Sequence, residues 1–183
     1  MHHFRSLIKF VASLFLLFTA MQVLADDSAN SPLGKGDLSP QYAGIQLDGT
    51  ELAIQPDDGK AYVISFWASW CAPCRAELPV LGNVQRLAGD KMRVIAINIE
   101  DRQVYNKLER QIAALGLTPA YDPRGKAKKA FGVGPIPHTI IVGRDGRIIN
   151  VRKGYGKSAL DELAADINQA LASAPNNAAD AAQ

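Results

Sequence analysis

Ala61-Tyr62-Val63-Ile64-Ser65-Phe66-Trp67, followed after two residues by Trp70-Cys71-Ala72-Pro73-Cys74, is the stretch that decides the fold. The first run is largely β-branched and aromatic, as a buried strand is, and Ala72 to Val80 behind the first cysteine opens a helix. A strand that delivers Cys-x-x-Cys to a helix start is the sequence form of a thiol-disulfide exchange site. With two residues between them, the sulfurs close a small ring without unwinding the helix. The first sulfur lies beside unpaired backbone N–H groups at the positive end of the helix dipole, which favours a thiolate by at most ~2 kcal/mol. Cys71, at the mouth of the helix, is therefore assigned as the attacking thiol. Cys74, one turn deeper on the same side, is the resolving thiol. Pro73 fits, because a proline in the first turn forfeits no hydrogen bond. The alternatives are a structural disulfide or half of a zinc site. These are the chain's only two cysteines, so a closed zinc site, which takes four ligands, has no second pair to draw on.

A length of 183 residues suits one domain with a real core, and a formal charge of +2 is too small to suggest a nucleic-acid partner. The first residues act as an address. His2, His3, Arg5 and Lys9 precede Phe10 to Ala25, which is uncharged, rich in Leu and Phe, and ends in Val23-Leu24-Ala25 before Asp26-Asp27. This predicts a secretory signal peptide over residues 1–25, cut after Ala25, with Ala20 as the second choice. Left uncut, the segment is a membrane anchor, although its apolar stretch is shorter than the roughly 20 residues of a spanning helix. No cysteine follows the apolar core, which excludes a lipoprotein anchor. The expected home of the two thiols is an oxidising compartment.

Residues 26–40, rich in Ser, Gly, Asp and Pro, read as a flexible leader, residues 41–172 as the folded domain, and residues 173–183 as a disordered tail. Gly44–Leu47 and Glu51–Ile54 flank Asp48-Gly49, which predicts a hairpin with a type I′ turn. Ala61–Trp67 is the central strand. A helix from about Cys71 to Leu87 follows, kinked by Pro79. Met92–Ile99 is a second buried strand, and Val104–Leu115 a crossover helix ending at Gly116, so the two strands pair in parallel. Thr139–Val142 and Arg147–Val151 surround Arg144-Asp145-Gly146, a hairpin signal. Ser158 caps a last helix whose apolar positions Leu160, Leu163, Ile167 and Leu171 share one face. The sum is an α/β domain with one mixed sheet and helices on both faces.

With Arg75-Ala76-Glu77-Leu78-Pro79 added, the segment Phe66 to Pro79 resembles the thioredoxin superfamily, and within it the exported TlpA/ResA/CcmG (DsbE-like) type. The resemblance spans roughly Gln41 to Leu171. It implies a thioredoxin-like fold, a central mixed β-sheet flanked by helices with a short N-terminal β-hairpin extension. Phe131-Gly132-Val133-Gly134-Pro135-Ile136-Pro137 is similar to the family's segment ending in a cis-proline. That similarity implies a cis Ile136–Pro137 bond lying against the cysteines, where the loop presents backbone groups to an incoming cysteine-containing segment. Trp70, Ala72, Pro73, Ile136 and Pro137 are then the client-binding residues, with Trp67 packed in the core.

Three departures matter. Ser65 stands where thioredoxin has a buried acid, so the usual proton acceptor is missing. Glu77 matches an acid that ResA-type members carry three residues after the second cysteine, and on the helix it shares a face with Cys74. It is either a carrier for the resolving thiol's proton or a solvated surface glutamate. His138 replaces the family's common threonine; protonated beside Cys71 it would stabilise the thiolate, but strand alternation turns it away. Arg124, Lys126, Lys128 and Lys129 form a basic cluster that either steers an acidic partner or is a solvated face.

The resemblance implies an exported, periplasmic thiol-disulfide oxidoreductase that reduces disulfides in client proteins, serving cytochrome c maturation, copper-site assembly or thiol repair. A membrane electron donor would recharge it, and the expected state is a monomer without metal or cofactor. The space between the active-site helix and Pro137 is too short for the helical insertion of DsbA-type oxidants, and residues 26–40 are too few for an isomerase's dimerisation domain. Two rivals remain. A copper-delivery module would use the cysteines and a histidine, although Sco-type proteins space their cysteines by three residues. A thiol peroxidase carries Pro and Thr upstream of its reactive cysteine, which Ser65 to Trp70 lacks.

Overall fold

All seven residues of Ala61–Trp67 are buried, because this strand has neighbours on both edges and packed layers on both faces. The computed structural model describes residues 33–55, 58–156 and 159–175. The expected signal peptide, the leader up to Pro32, the Ser158 cap and residues 176–183 lie outside them. The strands are β1 (Tyr42–Ile45), β2 (Glu51–Ala53), β3 (Ala61–Trp67), β4 (Met92–Asn98), β5 (Thr118–Tyr121), β6 (His138–Val142) and β7 (Ile148–Lys153). The helices are α1 (Ala72–Ala88), α2 (Arg102–Ala114), α3 (Lys126–Ala130) and α4 (Ala159–Ala172). The strands form one sheet in the order β2-β1-β5-β4-β3-β6-β7. β3, β4 and β5 are mutually parallel, and every other pairing is antiparallel.

The crossovers β3-α1-β4 and β4-α2-β5 step in the same direction across the sheet, so right-handedness puts α1 and α2 on the same face. Ala61, Val63 and Trp67 of β3 pack there with Cys74, Leu78 and Leu81 of α1 and Ile112 of α2, and Leu163 and Ile167 of α4 close the layer. Tyr62, Ile64 and Phe66 point the other way, into a second core with Ala127, Phe131 and Leu52. The Phe66 and Phe131 rings lie 5.6 Å apart there. α1 and α2 approach closely because residue 82 is glycine. A Cβ at Gly82 would sit 2.6 Å from the Leu115 carbonyl oxygen.

Several elements depart from the sequence reading. β5 and α3 were not foreseen. Thr118-Pro119-Ala120-Tyr121 carries a proline and no alternation, so its strand state comes from the slot between β1 and β4. α3 has five residues, too few for a helical period, and the Asp122 carboxylate anchors it by accepting the Lys128 N–H at 2.7 Å. The first hairpin exists, but its turn is not type I′, which needs positive φ at Asp48. Among the described residues only glycines have positive φ, Gly49 at 88°. Gln46 and Thr50 close a three-residue loop, and the Asp48 carboxylate accepts the Thr50 N–H at 2.9 Å.

The leader, read as flexible to Pro40, is tied down earlier. Gly36 N–H donates to Ile148 C=O at 2.8 Å, Ile148 N–H to Asp37 C=O at 2.8 Å, and Ser39 N–H to Gly146 C=O at 2.9 Å. These bonds cover the free edge of β7, an advantage composition does not reveal. At the other end Ser173, read as the start of the disordered tail, accepts the Arg144 N–H and donates to Ala170 C=O, both at 2.7 Å. Among the described residues no helix is long and apolar enough to cross a membrane.

Candidate active site

Cys71 occupies the N-cap of α1 with extended backbone angles, φ −84° and ψ 97°. Its Sγ accepts the Cys74 N–H at 3.2 Å, the direct backbone contact that a helix start makes available. The two sulfurs are joined at 2.00 Å, with the Cα atoms 5.3 Å apart. Cys71 retains 5% exposure and Cys74 none, so an incoming group meets Cys71 first. Pro73 stands in the first helical turn, exposed with Ala72. Trp70 is 67% exposed, whereas Trp67 is buried in the core.

The turn between β3 and α1 is held from below by Glu100, just beyond β4. Its carboxylate accepts the Ser69 N–H at 2.6 Å and the Ser69 hydroxyl at 2.8 Å, and Asn98 Nδ2 donates to it at 3.1 Å. Sequence reasoning missed this clamp. The parallel register that carries Asn98 alongside Trp67 is what brings Glu100 to the turn.

Of the two readings of Glu77, the structure removes the solvated surface. The side chain turns inward, and the residue is 3% exposed. Ser65 Oγ donates to its carboxylate at 3.2 Å, and Thr139 Oγ1 donates at 3.1 Å to either oxygen. Burial pushes the Glu77 pKa up. The hydroxyls of Thr139 and Ser65 and the positive Arg152 oppose that rise. The acid absent from β3 at Ser65 is thus supplied from α1, at a point where β3, β6 and α1 converge. Glu77 lies three positions beyond Cys74 on one helix, a spacing that puts Cβ atoms about 5–6 Å apart. Thr139 and Arg152 went unrecognised in the sequence, although alternation along β6 already separates Thr139 from His138. Arg152, opposite Thr139 in register, is fixed by Glu162 and Asp166 of α4, each at 3.0 Å.

The Ile136–Pro137 bond is cis, and the Pro137 carbonyl accepts the Gly154 N–H at 2.8 Å. Pro137 is buried and Ile136 half-buried at the entry to β6. His138 pairs with Phe66 in register, on the opposite side of the sheet from Thr139 and Glu77. It is 1% exposed, and neither ring nitrogen has a hydrogen-bond partner among the described residues. Burial and the charge of Lys153 lower its pKa; the Pro135 backbone, outside hydrogen-bond geometry, offsets part of this. Arg124, Lys126, Lys128 and Lys129 of the basic cluster are all exposed. Lys126 stands 3.8 Å over the Tyr42 ring and 3.5 Å from Glu51.

A thioredoxin-like sheet carrying a cysteine pair across the first turn of α1 defines a thiol-disulfide oxidoreductase. The chain belongs to the Redoxin family, whose model matches residues 34–170. Relatives narrow the type. The chain is 27% identical over 161 residues to the thiol-disulfide oxidoreductase ResA of Bacillus cereus, covering 87% of this chain and 92% of the relative. It is 29% identical over 125 residues to the thioredoxin-like protein YneN of Bacillus subtilis, 66% and 72% of the two chains. Among solved structures, a Chlorobium tepidum protein provisionally designated thiol:disulfide interchange protein DsbE superposes with a TM-score of 0.68 at 28% identity, over 76% of this chain and 99% of that one. MTB DsbF, solved in mixed oxidised and reduced forms, gives 0.60 at 25% identity, over 72% and 98%. The chain is of the ResA/CcmG type within the thioredoxin superfamily.

Proposed function

We propose that this protein is an exported reductase of client disulfides, with Cys71 attacking, Cys74 resolving and Glu77 carrying the resolving thiol's proton. The observation that carries the reading is the buried Glu77 carboxylate, held by Ser65 and Thr139 on the helix that bears the cysteine pair. In the reduced protein the Cys71 thiolate attacks a client disulfide, forming a mixed disulfide and releasing one client thiolate. Cys74 then gives its proton to the Glu77 carboxylate and attacks the Cys71 sulfur. The second client thiolate leaves, and the protein's disulfide re-forms. Two electrons have passed to the client. Burial raises the Glu77 pKa, which makes its carboxylate a stronger proton acceptor.

Trp70, Ala72 and Pro73 on one side and Ile136 and Pro137 on the other are the proposed client-binding residues, where backbone at the start of β6 pairs with the client segment. Support for reduction over oxidation comes from the chain between α1 and Pro137, which holds β4, α2, β5, α3 and one 3-10 turn (Gly89–Lys91) and no inserted helical domain. The signal segment over residues 1–25, the periplasmic location, the folded domain over 41–172, the monomeric state and recharging by a membrane donor belong to the same proposal. Copper delivery is disfavoured by His138, which faces the core away from Glu77.

The direction of electron flow is tested in acid-quenched cells with a mass-tagged maleimide. A mostly reduced pair supports the reductase. A largely disulfide-bonded pool in unstressed cells would make it an oxidant, leaving Cys71, Cys74 and the fold in place.

A further inference from the structure

A groove of about 410 Å³ lies between α1 and α2, lined in part by residues that flank the cysteine pair in the chain. Its walls are mostly apolar, with Trp67 at the end of β3, Leu78 and Pro79 on α1, and Leu108, Ile112 and Leu115 at the α2 side, where Gln111 adds a polar side chain. Neither Ile136 nor Pro137 lines it, so it is separate from the backbone of the β6 entry loop. Gly82 sets its width by letting α2 end against α1. Ser69, two residues before Cys71, and Arg75, whose N–H donates to the Cys71 carbonyl at 3.1 Å, both stand on its rim.

Two features of the rim and wall lack internal partners. Arg75 is exposed, and its guanidinium has no ion-pair or hydrogen-bond partner among the described residues. The Trp67 indole N–H is buried in the wall with no acceptor among the described residues. From Cys71 to Leu78 the helix rises about 10 Å, at 1.5 Å per residue. An extended polypeptide covers that length in about three residues.

Resting on the reductase reading, we propose that this groove is a second client subsite, which takes a large apolar side chain about three residues from the client's cysteine and an acidic residue beside it at Arg75. The occupant is a client polypeptide because Ser69 and Arg75, which line the groove, flank Cys71 in the chain, so a client held at that sulfur is brought next to it, and because the one charged residue lining it, Arg75, is positive. Recognition then combines backbone pairing on the β6 side with a side-chain preference on the α1-α2 side. The reductase becomes selective among disulfides that are equally reducible.

The test uses disulfide-linked homodimers of synthetic peptides, so that either attacked sulfur belongs to a peptide. One carries Phe-Glu three residues from its cysteine, the other Ser-Lys, and each is made with the flank on either side. The reduced full chain converts each dimer to two thiols while Cys71 and Cys74 form their disulfide. The Phe-Glu dimer should react about 10-fold faster, which is about 1.4 kcal/mol. Phe-Ser and Ser-Glu dimers should apportion most of this to the apolar side chain, with about 2- to 3-fold from the acid that fades in high salt. Leu108→Ser should reduce the Phe preference, and Arg75→Glu should invert the Glu preference. Each is read as the ratio of two peptide rates in one variant, so that general changes cancel. Equal rates for the two dimers, or a preference untouched by both substitutions, overturn the subsite. So does selectivity that falls as protein concentration rises, which assigns the groove to a second copy, or selectivity that appears only on removing residues 1–32, which assigns it to the chain's own leading segment. Failure to reduce any dimer or any small disulfide would instead overturn the reductase reading.

Discussion

Thr139→Val removes one hydroxyl from the buried end of the site while preserving the β-branched shape of a residue that is 1% exposed on β6. The lost hydroxyl lies 3.1 Å from both carboxylate oxygens of Glu77, leaving Ser65 at 3.2 Å as the remaining hydroxyl donor. A hydrogen bond to a charged acceptor contributes about 1.5–3 kcal/mol and one to a neutral acceptor about 0.5–1.5 kcal/mol. The cost of the substitution therefore depends on whether Glu77 is ionised. Burial raises the Glu77 pKa above its ordinary value of 4.5, so the unfolded chain releases its proton at lower pH than the folded one. The stability contributed by this group is full below that ordinary value and declines as pH climbs through the folded-state value. Removing Thr139 Oγ1 lifts the folded value further, and the decline extends to higher pH by about one pH unit for each 1.36 kcal/mol by which the loss to the ionised form exceeds the loss to the neutral form. Urea unfolding of the oxidised protein should show Thr139→Val destabilised by about 2–3 kcal/mol at pH 9 and about 1 kcal/mol at pH 4. Equal losses at the two pH values would refute an ionisable Glu77 held by this hydroxyl.

Cys71→Ala should abolish reduction of an insulin-type disulfide, whereas Cys74→Ser should leave attack intact and accumulate mixed disulfides visible on non-reducing gels; faster alkylation of Cys74 than Cys71 in the reduced protein would reverse the roles. Glu77→Gln should slow release of the mixed disulfide and flatten the pH-rate profile of that step, measured by quenched flow. His138→Phe should protect against acid. The lowered His138 pKa means that wild-type stability is present above the unfolded value of 6.5 and is lost as pH falls toward the folded value, so the variant's advantage in urea should grow between pH 7.5 and pH 5. Gly82→Ala should destabilise by about 1–3 kcal/mol, read from the urea midpoint, because its Cβ meets a backbone carbonyl that cannot rotate away.

The sequence by itself determined the elements whose periodicity and chemistry are local. The unbroken apolar run Ala61–Trp67, the cysteine pair at a helix start, the crossover to Met92–Asn98 and, apart from Leu160, which is 48% exposed, the inward face of the last helix were legible, since a strand buried on both sides and an amphipathic helix each leave a pattern within one window. Tertiary structure alone decided the rest. Thr118–Tyr121 is a strand only because two edges wait for it, and residues 36–39 are ordered only because β7 has an edge to cover. Glu77 illustrates the limit most clearly. Its place on the helix followed from counting residues after Cys74, but a glutamate on the exposed side of a helix and one buried against Ser65 and Thr139 have the same sequence neighbours. What separates them is the hydroxyl that β6 delivers from 62 residues away, a partner that exists only once the sheet has formed.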